Sequence, residues 1–193
     1  KLADIGVHFS DAGQDRLRVS NGRKLSAADC VALPYPGIPT DVQAQLMSLL
    51  VGSPGISVIT DKVFPDRFMH AAELARMGAV IRREGPSAII SGVGRLSGAT
   101  VMASDLRASA ALVIAGLAAE GDTAIRRIYH LDRGYEQLEL KLRNLGANIE
   151  RVDDRSNAFP HSFRLDRAET GEELGGPHWP QHESAEKRSK RSA

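Results

Sequence analysis

Apolar segments of two kinds alternate along the chain and predict helices and strands in turn. The longer segments predict helices, and "ASAALVIAGLAA" (residues 108–119) is the most apolar of them. Its 12 residues fall short of the roughly 20 that cross a bilayer, so it is interpreted as a helix buried on all sides. Shorter segments, such as "AVIRRE", "AIISGV", "GATVMA" and "ANIERVD", predict strands. This alternation predicts an α/β protein with mixed sheets, in which "AIISGV" and "GATVMA" form a pair separated by a turn.

These elements recur with a period of about 70 residues. A Leu-Gly-Ala-like motif places its glycine at Gly6, Gly78 and Gly146. At each position the glycine is expected to end a helix in the left-handed conformation, which glycine adopts without a steric penalty. A short strand is expected to follow each time. The repeat is longer than a solenoid unit, so it indicates a supersecondary unit of several elements that is used more than once.

Acidic residues stand at the starts of the two most apolar helices. Asp41 in "PTDVQAQ" and Asp105 in "ASDLRAS" each follow a hydroxyl residue, and Thr40 with Gln43 has the pattern of a capping box. A carboxylate at a helix start is favoured by the macrodipole, so a structural role alone explains either aspartate. Because a repeat fold tends to bring equivalent helix ends to one face, the two carboxylates are also candidates for one shared site.

An Asp-Arg pair precedes two further predicted helices. Arg67 in "PDRFMH" and Arg133 in "LDRGY" are expected at helix starts, where the dipole disfavours a cation. Two explanations remain open at this point. Each arginine pairs with the aspartate before it, Asp66 or Asp132, or it faces an anionic ligand.

Composition and motifs narrow the classes of function. Lys plus Arg number 25 and Asp plus Glu number 24, so the net charge of +1 predicts neither a nucleic-acid partner nor a membrane surface. The single cysteine, Cys30 in the apolar segment "ADCVAL", excludes an internal disulfide and is interpreted as an inert core residue in a cytoplasmic protein. No Cys/His metal spacing, phosphate-binding loop or dinucleotide-binding motif occurs, so neither a metal nor a cofactor is expected.

The repeat pattern ends before the chain does. Residues 1–152 are expected to form the repeat domain. Residues 153–193 are polar, charged and without period, and they are expected to form a mostly disordered tail.

Four segments carry a resemblance to a known family. They are "PYPGIPTDVQAQ", "VFPDRFMH", "SGATVMASDLRASAALVIAGLAAEG" and "IYHLDRGYEQLELKLRNLGANIE". Together, over residues 1–152, they resemble the C-terminal half of the UDP-N-acetylglucosamine 1-carboxyvinyltransferases, members of the enolpyruvyl transferase family. The resemblance implies an inside-out α/β barrel of βαβαββ units with the helices packed inward. The resemblance also implies that the chain contains most of one of the family's two domains. This part would hold two βαβαββ units and the end of a further unit.

The resemblance also implies a reaction and its residues. The family transfers the enolpyruvyl group of phosphoenolpyruvate to the 3′-hydroxyl of UDP-N-acetylglucosamine and releases phosphate, the first step of peptidoglycan synthesis. Asp41 matches the base that also holds the sugar, and Asp105 matches an acid that assists the proton transfers. Arg133 matches the phosphoenolpyruvate-binding arginine, Arg67 a second active-site arginine, and Val63 a backbone contact of the UDP-sugar.

Some features depart from the family pattern. Pro65 and Asp66 stand where the family commonly has Glu-Asn. The family's proton-donor cysteine belongs to the N-terminal half, and Cys30 does not match it. The resemblance therefore predicts that catalysis needs that missing half as a partner. The alternatives are a non-catalytic UDP-sugar-binding or regulatory half-enzyme and a decayed copy.

Overall fold

The described part of the chain begins with the end of a repeat unit. The structure is a computed structural model that describes residues 1–21 and 25–152. Helix α1 (Leu2–Ile5) leads into an antiparallel hairpin of strands β1 (Val7–Asp11) and β2 (Leu17–Asn21). This order of helix, strand and strand corresponds to the second half of a βαβαββ unit.

One complete unit follows, and its elements occur in the order strand, helix, strand, helix, strand, strand. They are β3 (Cys30–Ala32), α2 (Gln43–Val51), β4 (Gly55–Asp61), α3 (Met69–Arg76), β5 (Val80–Glu84) and β6 (Ser87–Gly92). The strands form one sheet in the order β3-β4-β6-β5, in which β3 and β4 are parallel and the other neighbours are antiparallel. The predicted α/β class with mixed sheets is confirmed.

The next unit is described as far as its second helical region. It contains β7 (Thr100–Met102), α4 (Leu106–Ala118), β8 (Ala124–Arg126), α5 (Tyr129–Asp132) and α6 (Leu138–Asn144). The predicted pairing of "AIISGV" with "GATVMA" is wrong, because β6 pairs with β4 and β5 whereas β7 pairs with β8. Strand β6 already has a neighbour on each side, so it offers no edge to β7.

Two apolar helices form the centre of the core. Helices α2 and α4 pack against each other, and their contact includes a hydrogen bond from Ser48 Oγ to the Ala111 carbonyl at 2.8 Å. Met47, Leu50 and Leu112 are fully buried. The prediction that α4 is buried on all sides is wrong for one face, where Ile114 is 37% exposed, because no described element covers that side. The three sheets stay separate within residues 1–21 and 25–152 and do not close into a barrel.

The predicted glycine caps are confirmed. Gly6, Gly78 and Gly146 each follow the end of a helix and have φ angles of 109°, 93° and 94°. After α3, the Gly78 N–H donates to the Ala75 carbonyl and the Ala79 N–H donates to the Leu74 carbonyl. This pair of hydrogen bonds satisfies carbonyls that the helix itself leaves free.

The strand predicted after Gly146 is not present in the described residues. Residues 147–152 have no regular structure, whereas β5, at the equivalent place after Gly78, is paired with β6. A strand of this length needs a neighbour, and no described strand lies beside residues 147–152. The predicted tail, residues 153–193, lies outside the described residues and stays a prediction.

None of the helices in the described ranges has both the length and the apolar character that crossing a bilayer requires.

Candidate active site

The fold places three helix starts after strands that each have a parallel neighbour. Strands β3, β4 and β7 lead into helices α2, α3 and α4. In α/β units the loops that leave the C-terminal ends of parallel strands gather the side chains that bind ligands. Asp41 lies in the 3₁₀ turn Thr40–Val42 directly before α2, Arg67 lies shortly before α3, and Asp105 caps α4. We call Asp41, Arg67, Asp105 and Arg107 the helix-start site.

Asp41 lies between two arginines of this site. Its Oδ1 accepts a hydrogen bond from Arg107 Nε at 2.5 Å and also lies 2.5 Å from Arg107 Nη2. Arg67 Nη1 is 3.9 Å from the same oxygen, an ion-pair distance that is too long for a hydrogen bond. The Asp41 side chain is 62% exposed, so these pairs contribute little to stability, and a ligand in solution reaches the carboxylate.

Arg67 is held by an aromatic ring and keeps a free donor. Its guanidinium carbon lies 3.7 Å from the centroid of the Phe64 ring, within the range of a cation–π contact. Its side chain is only 23% exposed, and the buried Nη1 has no hydrogen-bond partner among the described groups. A buried donor without a partner favours an acceptor supplied by a ligand.

Arg107 is a site residue that the sequence reasoning missed. It follows Asp105 by two residues in "SDLRAS", within the first turn of α4. A cation in the first turn of a helix is unfavourable to the dipole, and this criterion is the one that singled out Arg67 and Arg133. Applied to the apolar helices as well, it would have identified Arg107.

Asp105 is the N-cap of α4, as the sequence predicts for an aspartate at a helix start. Its Oδ1 accepts hydrogen bonds from the backbone N–H groups of Arg107 and Ala108 at 2.7 and 3.0 Å. These bonds give Asp105 a structural role in capping. Its Oδ2 has no hydrogen bond or ion pair among the described groups. Since Arg107 donates to Asp105 through its backbone and to Asp41 through its side chain, it links the two aspartates.

The capping box predicted at Thr40 is wrong. Thr40 Oγ1 donates instead to Asp61 Oδ2 at 2.6 Å, and α2 has no side-chain cap. The turn Thr40–Val42 is a separate 3₁₀ element, so α2 begins only at Gln43, and Thr40 is not its N-cap. The Gln43 Nε2 is buried and has no hydrogen-bond partner among the described groups.

Val63 has a backbone carbonyl available for a ligand, but its N–H group is not. Its N–H donates to Asp61 Oδ1 at 2.9 Å and is therefore occupied. Its carbonyl oxygen has no hydrogen bond within the described chain. Any backbone contact of Val63 with a ligand hydroxyl or amide would use this oxygen as the acceptor.

Arg133 occupies a different position from the one expected. It is the C-cap of α5, not the start of a helix, and α6 begins only at Leu138. A cation is favourable at a helix C-terminus, so the dipole does not disfavour Arg133 there. The next residue, Gly134, lies so close to the start of α4 that an added Cβ would be 2.9 Å from Leu106 Cδ2. The Arg133 side chain itself is exposed and forms no hydrogen bond or ion pair with the described residues of the helix-start site.

Neither Asp-Arg pair forms an ion pair within itself. Asp66 lies 3.9 Å from Arg83, and Asp132 accepts hydrogen bonds from Arg151 at 2.7 and 3.0 Å. The hydrogen bonds from Arg151 lower the pKa of Asp132 below its usual value. The first of the two explanations, an arginine paired with the aspartate before it, is therefore wrong for Arg67 and for Arg133.

His70 does not supply a cation to the site. His70, at the start of α3, is 2% exposed and stacks on Phe68 with ring centroids 6.0 Å apart. Burial lowers the pKa of His70 to about 4, although the nearby Asp105 charge acts in the opposite direction. The imidazole is therefore neutral at pH 7 and does not act as a cationic phosphate ligand. Within residues 1–21 and 25–152, no three metal-binding side chains converge.

Cys30 is expected to resist alkylation in the native chain. It lies in β3 and is 2% exposed, and burial raises the pKa of its thiol. Because the thiolate is the reactive form, a thiol reagent at pH 7 should react at least about tenfold more slowly with the native chain than with the urea-unfolded chain. Mass spectrometry over time measures both rates. Equal alkylation rates in the native and the unfolded chain would show that the thiol is accessible and would contradict the assignment of Cys30 to the core.

A family model described as EPSP synthase (3-phosphoshikimate 1-carboxyvinyltransferase) matches residues 1–142. The chain belongs to this family. Among curated relatives, it is 58% identical over 155 residues to UDP-N-acetylglucosamine 1-carboxyvinyltransferase 2 of Carboxydothermus hydrogenoformans, which covers 80% of this chain and 37% of the relative. It is 55% identical over 149 residues to UDP-N-acetylglucosamine 1-carboxyvinyltransferase of Sinorhizobium fredii, covering 77% of this chain and 35% of the relative. The chain thus spans little more than a third of the length of these relatives.

Solved structures agree with the family. The enolpyruvyl transferase NikO from Streptomyces tendae is 31% identical, has a TM-score of 0.70, and is matched over 78% of this chain and 35% of its own. EPSP synthase from Acinetobacter baumannii has a TM-score of 0.59, covers 78% of this chain and 36% of its own, and at 20% identity shows the fold alone.

Proposed function

We propose that the chain forms part of a UDP-N-acetylglucosamine 1-carboxyvinyltransferase and contributes one side of its active site. The observation that carries this proposal is the placement of Asp41 between Arg67 and Arg107 at a set of helix starts. An accessible carboxylate beside two guanidinium groups suits a reaction in which a base works next to a bound anion. The identities above 50% to relatives with this name support the choice of reaction.

In this proposal Asp41 is the general base. As the oxygen of the sugar 3′-hydroxyl forms a bond to C2 of phosphoenolpyruvate, Asp41 accepts the hydroxyl proton, and C3 takes up a proton from an acid in the remaining part of the enzyme. Phosphate then leaves C2 while C3 loses a proton, which forms the enolpyruvyl ether. Asp105, through its unengaged Oδ2, assists the proton transfers. Arg107 keeps the Asp41 carboxylate in place before the substrate binds.

The arginines bind the anionic groups of phosphoenolpyruvate. Arg67 has a buried donor that no described group uses, and Arg133 has no ion-pair partner among the described residues. A planar guanidinium donates paired hydrogen bonds to phosphate and to carboxylate, which is the chemistry that phosphoenolpyruvate requires. The Val63 carbonyl contacts the UDP-sugar.

The same proposal includes a cell compartment and a partner protein. The product would enter peptidoglycan synthesis in the cytoplasm, where a single reduced cysteine such as Cys30 is usual. The partner is the remaining part of the enzyme, which would supply the opposite side of the cleft. No cofactor takes part in the proposed reaction.

Phosphate release from phosphoenolpyruvate and UDP-N-acetylglucosamine tests this function. The assay compares the chain alone, the unmatched part of the Carboxydothermus relative alone, and the two together. We expect phosphate release only from the mixture, because neither part holds a complete site. A parallel mixture with shikimate 3-phosphate as the acceptor should release none.

Three outcomes would contradict the proposal. Phosphate release only in the mixture that contains shikimate 3-phosphate would show that this compound is the acceptor and that UDP-N-acetylglucosamine is not. Release from the isolated chain would show that the active site does not depend on the second part. No release from a mixture in which both parts are folded and associated, as judged by circular dichroism and gel filtration, would favour a non-catalytic UDP-sugar-binding module.

A further inference from the structure

One buried carboxylate lies beneath the helix-start site without belonging to it. Asp61, the last residue of β4, is fully buried. Its Oδ1 accepts hydrogen bonds from the backbone N–H groups of Val63 at 2.9 Å and Phe64 at 2.8 Å. Its Oδ2 accepts a hydrogen bond from Thr40 Oγ1 at 2.6 Å. The three donors come from two different loops, one before α2 and one before α3.

The buried position and the three donors of Asp61 indicate that it holds neighbouring loops in place. Moving a carboxylate out of water is costly, and the fully buried Asp61 has no arginine or lysine within ion-pair distance among the described residues. An ionised carboxylate accepts hydrogen bonds through both oxygens, and three donors point at it. The short bond to Thr40 is typical of a hydroxyl that donates to a charged acceptor. Asparagine, which has the same shape, would offer a single acceptor oxygen.

The groups held by Asp61 adjoin the proposed catalytic residues. Thr40 directly precedes Asp41 in the 3₁₀ turn. Phe64 supports the Arg67 guanidinium with its ring, and its own N–H is one of the two donors to Asp61 Oδ1. The distance between Asp41 and Arg67 therefore depends on two loops that meet at a single carboxylate.

We propose that Asp61 is a positioning residue that fixes the loop of Asp41 relative to the loop of Val63 and Arg67. Its catalytic consequence rests on the proposed function, whereas its effect on geometry does not. Asp61 touches no reacting atom in this proposal. It acts through Thr40 on the base and through Phe64 on the arginine that faces the anion.

Four variants of the full chain test the proposal. Asp61→Asn removes one acceptor, and Thr40→Val removes the hydroxyl while it keeps the shape. Thr40→Ser retains the hydroxyl and serves as the conservative rescue. Ser48→Ala is the matched control, because it also removes a buried hydroxyl that donates a hydrogen bond, here to Ala111 in the helix core at 2.8 Å. Urea unfolding of each variant measures its free energy of unfolding. The loss of stability at Thr40 can then be compared with the loss at Ser48.

Nuclear magnetic resonance of the chain alone reads the geometry. In the native chain the Arg107 Nε–H, which donates to Asp41, should have a chemical shift apart from that of a free arginine. The amides of Val63 and Phe64, which donate to the buried Asp61, should be protected from exchange with water. Thr40→Val should move the Arg107 Nε–H shift toward the free value, and Asp61→Asn should speed exchange of the two amides at least about tenfold. Ser48→Ala and Thr40→Ser should leave these signals as they are. An unchanged Arg107 Nε–H shift in folded Thr40→Val would overturn the proposal whether or not the chain is part of an active enzyme.

Turnover in the reconstituted mixture measures the effect of each variant on catalysis. Thr40→Val should lower kcat by about 10- to 100-fold, because a small misplacement of a catalytic group costs this much. The KM for phosphoenolpyruvate should rise less than kcat falls, and Thr40→Ser should restore kcat. An equal loss of kcat in Ser48→Ala at equal stability would reduce the effect to general destabilisation and overturn the assignment. If Asp61→Asn does not fold, Thr40→Val and Thr40→Ser still test the proposal, because they change the other side of the same hydrogen bond.

Discussion

Replacing Asp41 by asparagine is expected to lower kcat of the reconstituted enzyme by about 10²- to 10⁴-fold. The amide has the shape of the carboxylate but does not accept a proton at neutral pH, so the sugar hydroxyl loses its base. The fold should survive, because the side chain is 62% exposed and loses only surface ion pairs with Arg67 and Arg107. Phosphate release at saturating substrates measures kcat, and circular dichroism of the same samples checks the fold.

Asp66→Asn provides the matched control for this experiment. Asp66 is also an exposed aspartate before a helix, with an arginine, Arg83, at 3.9 Å, but it lies outside the helix-start site. Its replacement should leave kcat within about twofold of the native value, as is usual for surface substitutions. Near-normal turnover in Asp41→Asn would exclude Asp41 as the base. An equal loss in both variants would indicate a general effect of charge.

Replacing Arg133 by alanine should chiefly raise the KM for phosphoenolpyruvate. A hydrogen bond between charged groups contributes about 1.5–3 kcal/mol, which corresponds to a change of about 10- to 150-fold in affinity. Arg133 is exposed at the C-terminus of α5, so its loss removes no hydrogen bond or ion pair between described residues. Initial rates at varied phosphoenolpyruvate, with UDP-N-acetylglucosamine held saturating, give the KM.

Arg95→Ala is the control for Arg133→Ala. Arg95 is an exposed arginine that pairs with Glu120, and it stands apart from the helix-start site in sequence and in contacts. Its replacement should leave both KM values unchanged. A shift in the KM for UDP-N-acetylglucosamine alone in Arg133→Ala would show that Arg133 binds the sugar nucleotide and not phosphoenolpyruvate.

Local features of the fold were predictable because they depend on residues close together in sequence. The glycine caps at Gly6, Gly78 and Gly146 require a positive φ and hydrogen bonds within one helical turn. The cap of α4 by Asp105 depends on N–H groups two and three residues away. The apolar run of α4 and the strands β5 and β6 follow from periodicity alone.

Strand pairing was not predictable in the same way. "AIISGV" and "GATVMA" both have strand character, but their partners depend on which sheet edges the rest of the fold leaves open. Strand β6 is enclosed by β4 and β5, so β7 pairs with β8. The capping box at Thr40 failed for a related reason, since Asp61 offers the Thr40 hydroxyl a buried charged acceptor that a local pattern does not contain.

The sequence by itself determined the repeat, the α/β class, the helix ends at the three glycines and the choice of Asp41, Arg67, Asp105 and Arg133 as candidate site residues. Only the tertiary structure decided which of these residues meet. The contact between Arg107 and Asp41 joins residues 66 apart, and that between Thr40 and Asp61 joins residues 21 apart. Such contacts form only once the sheets have folded and helices α2 and α4 have packed against each other. Propensity and periodicity act over a few residues, whereas the distance between charged side chains on different loops is set by the packing of the sheets and helices that carry them.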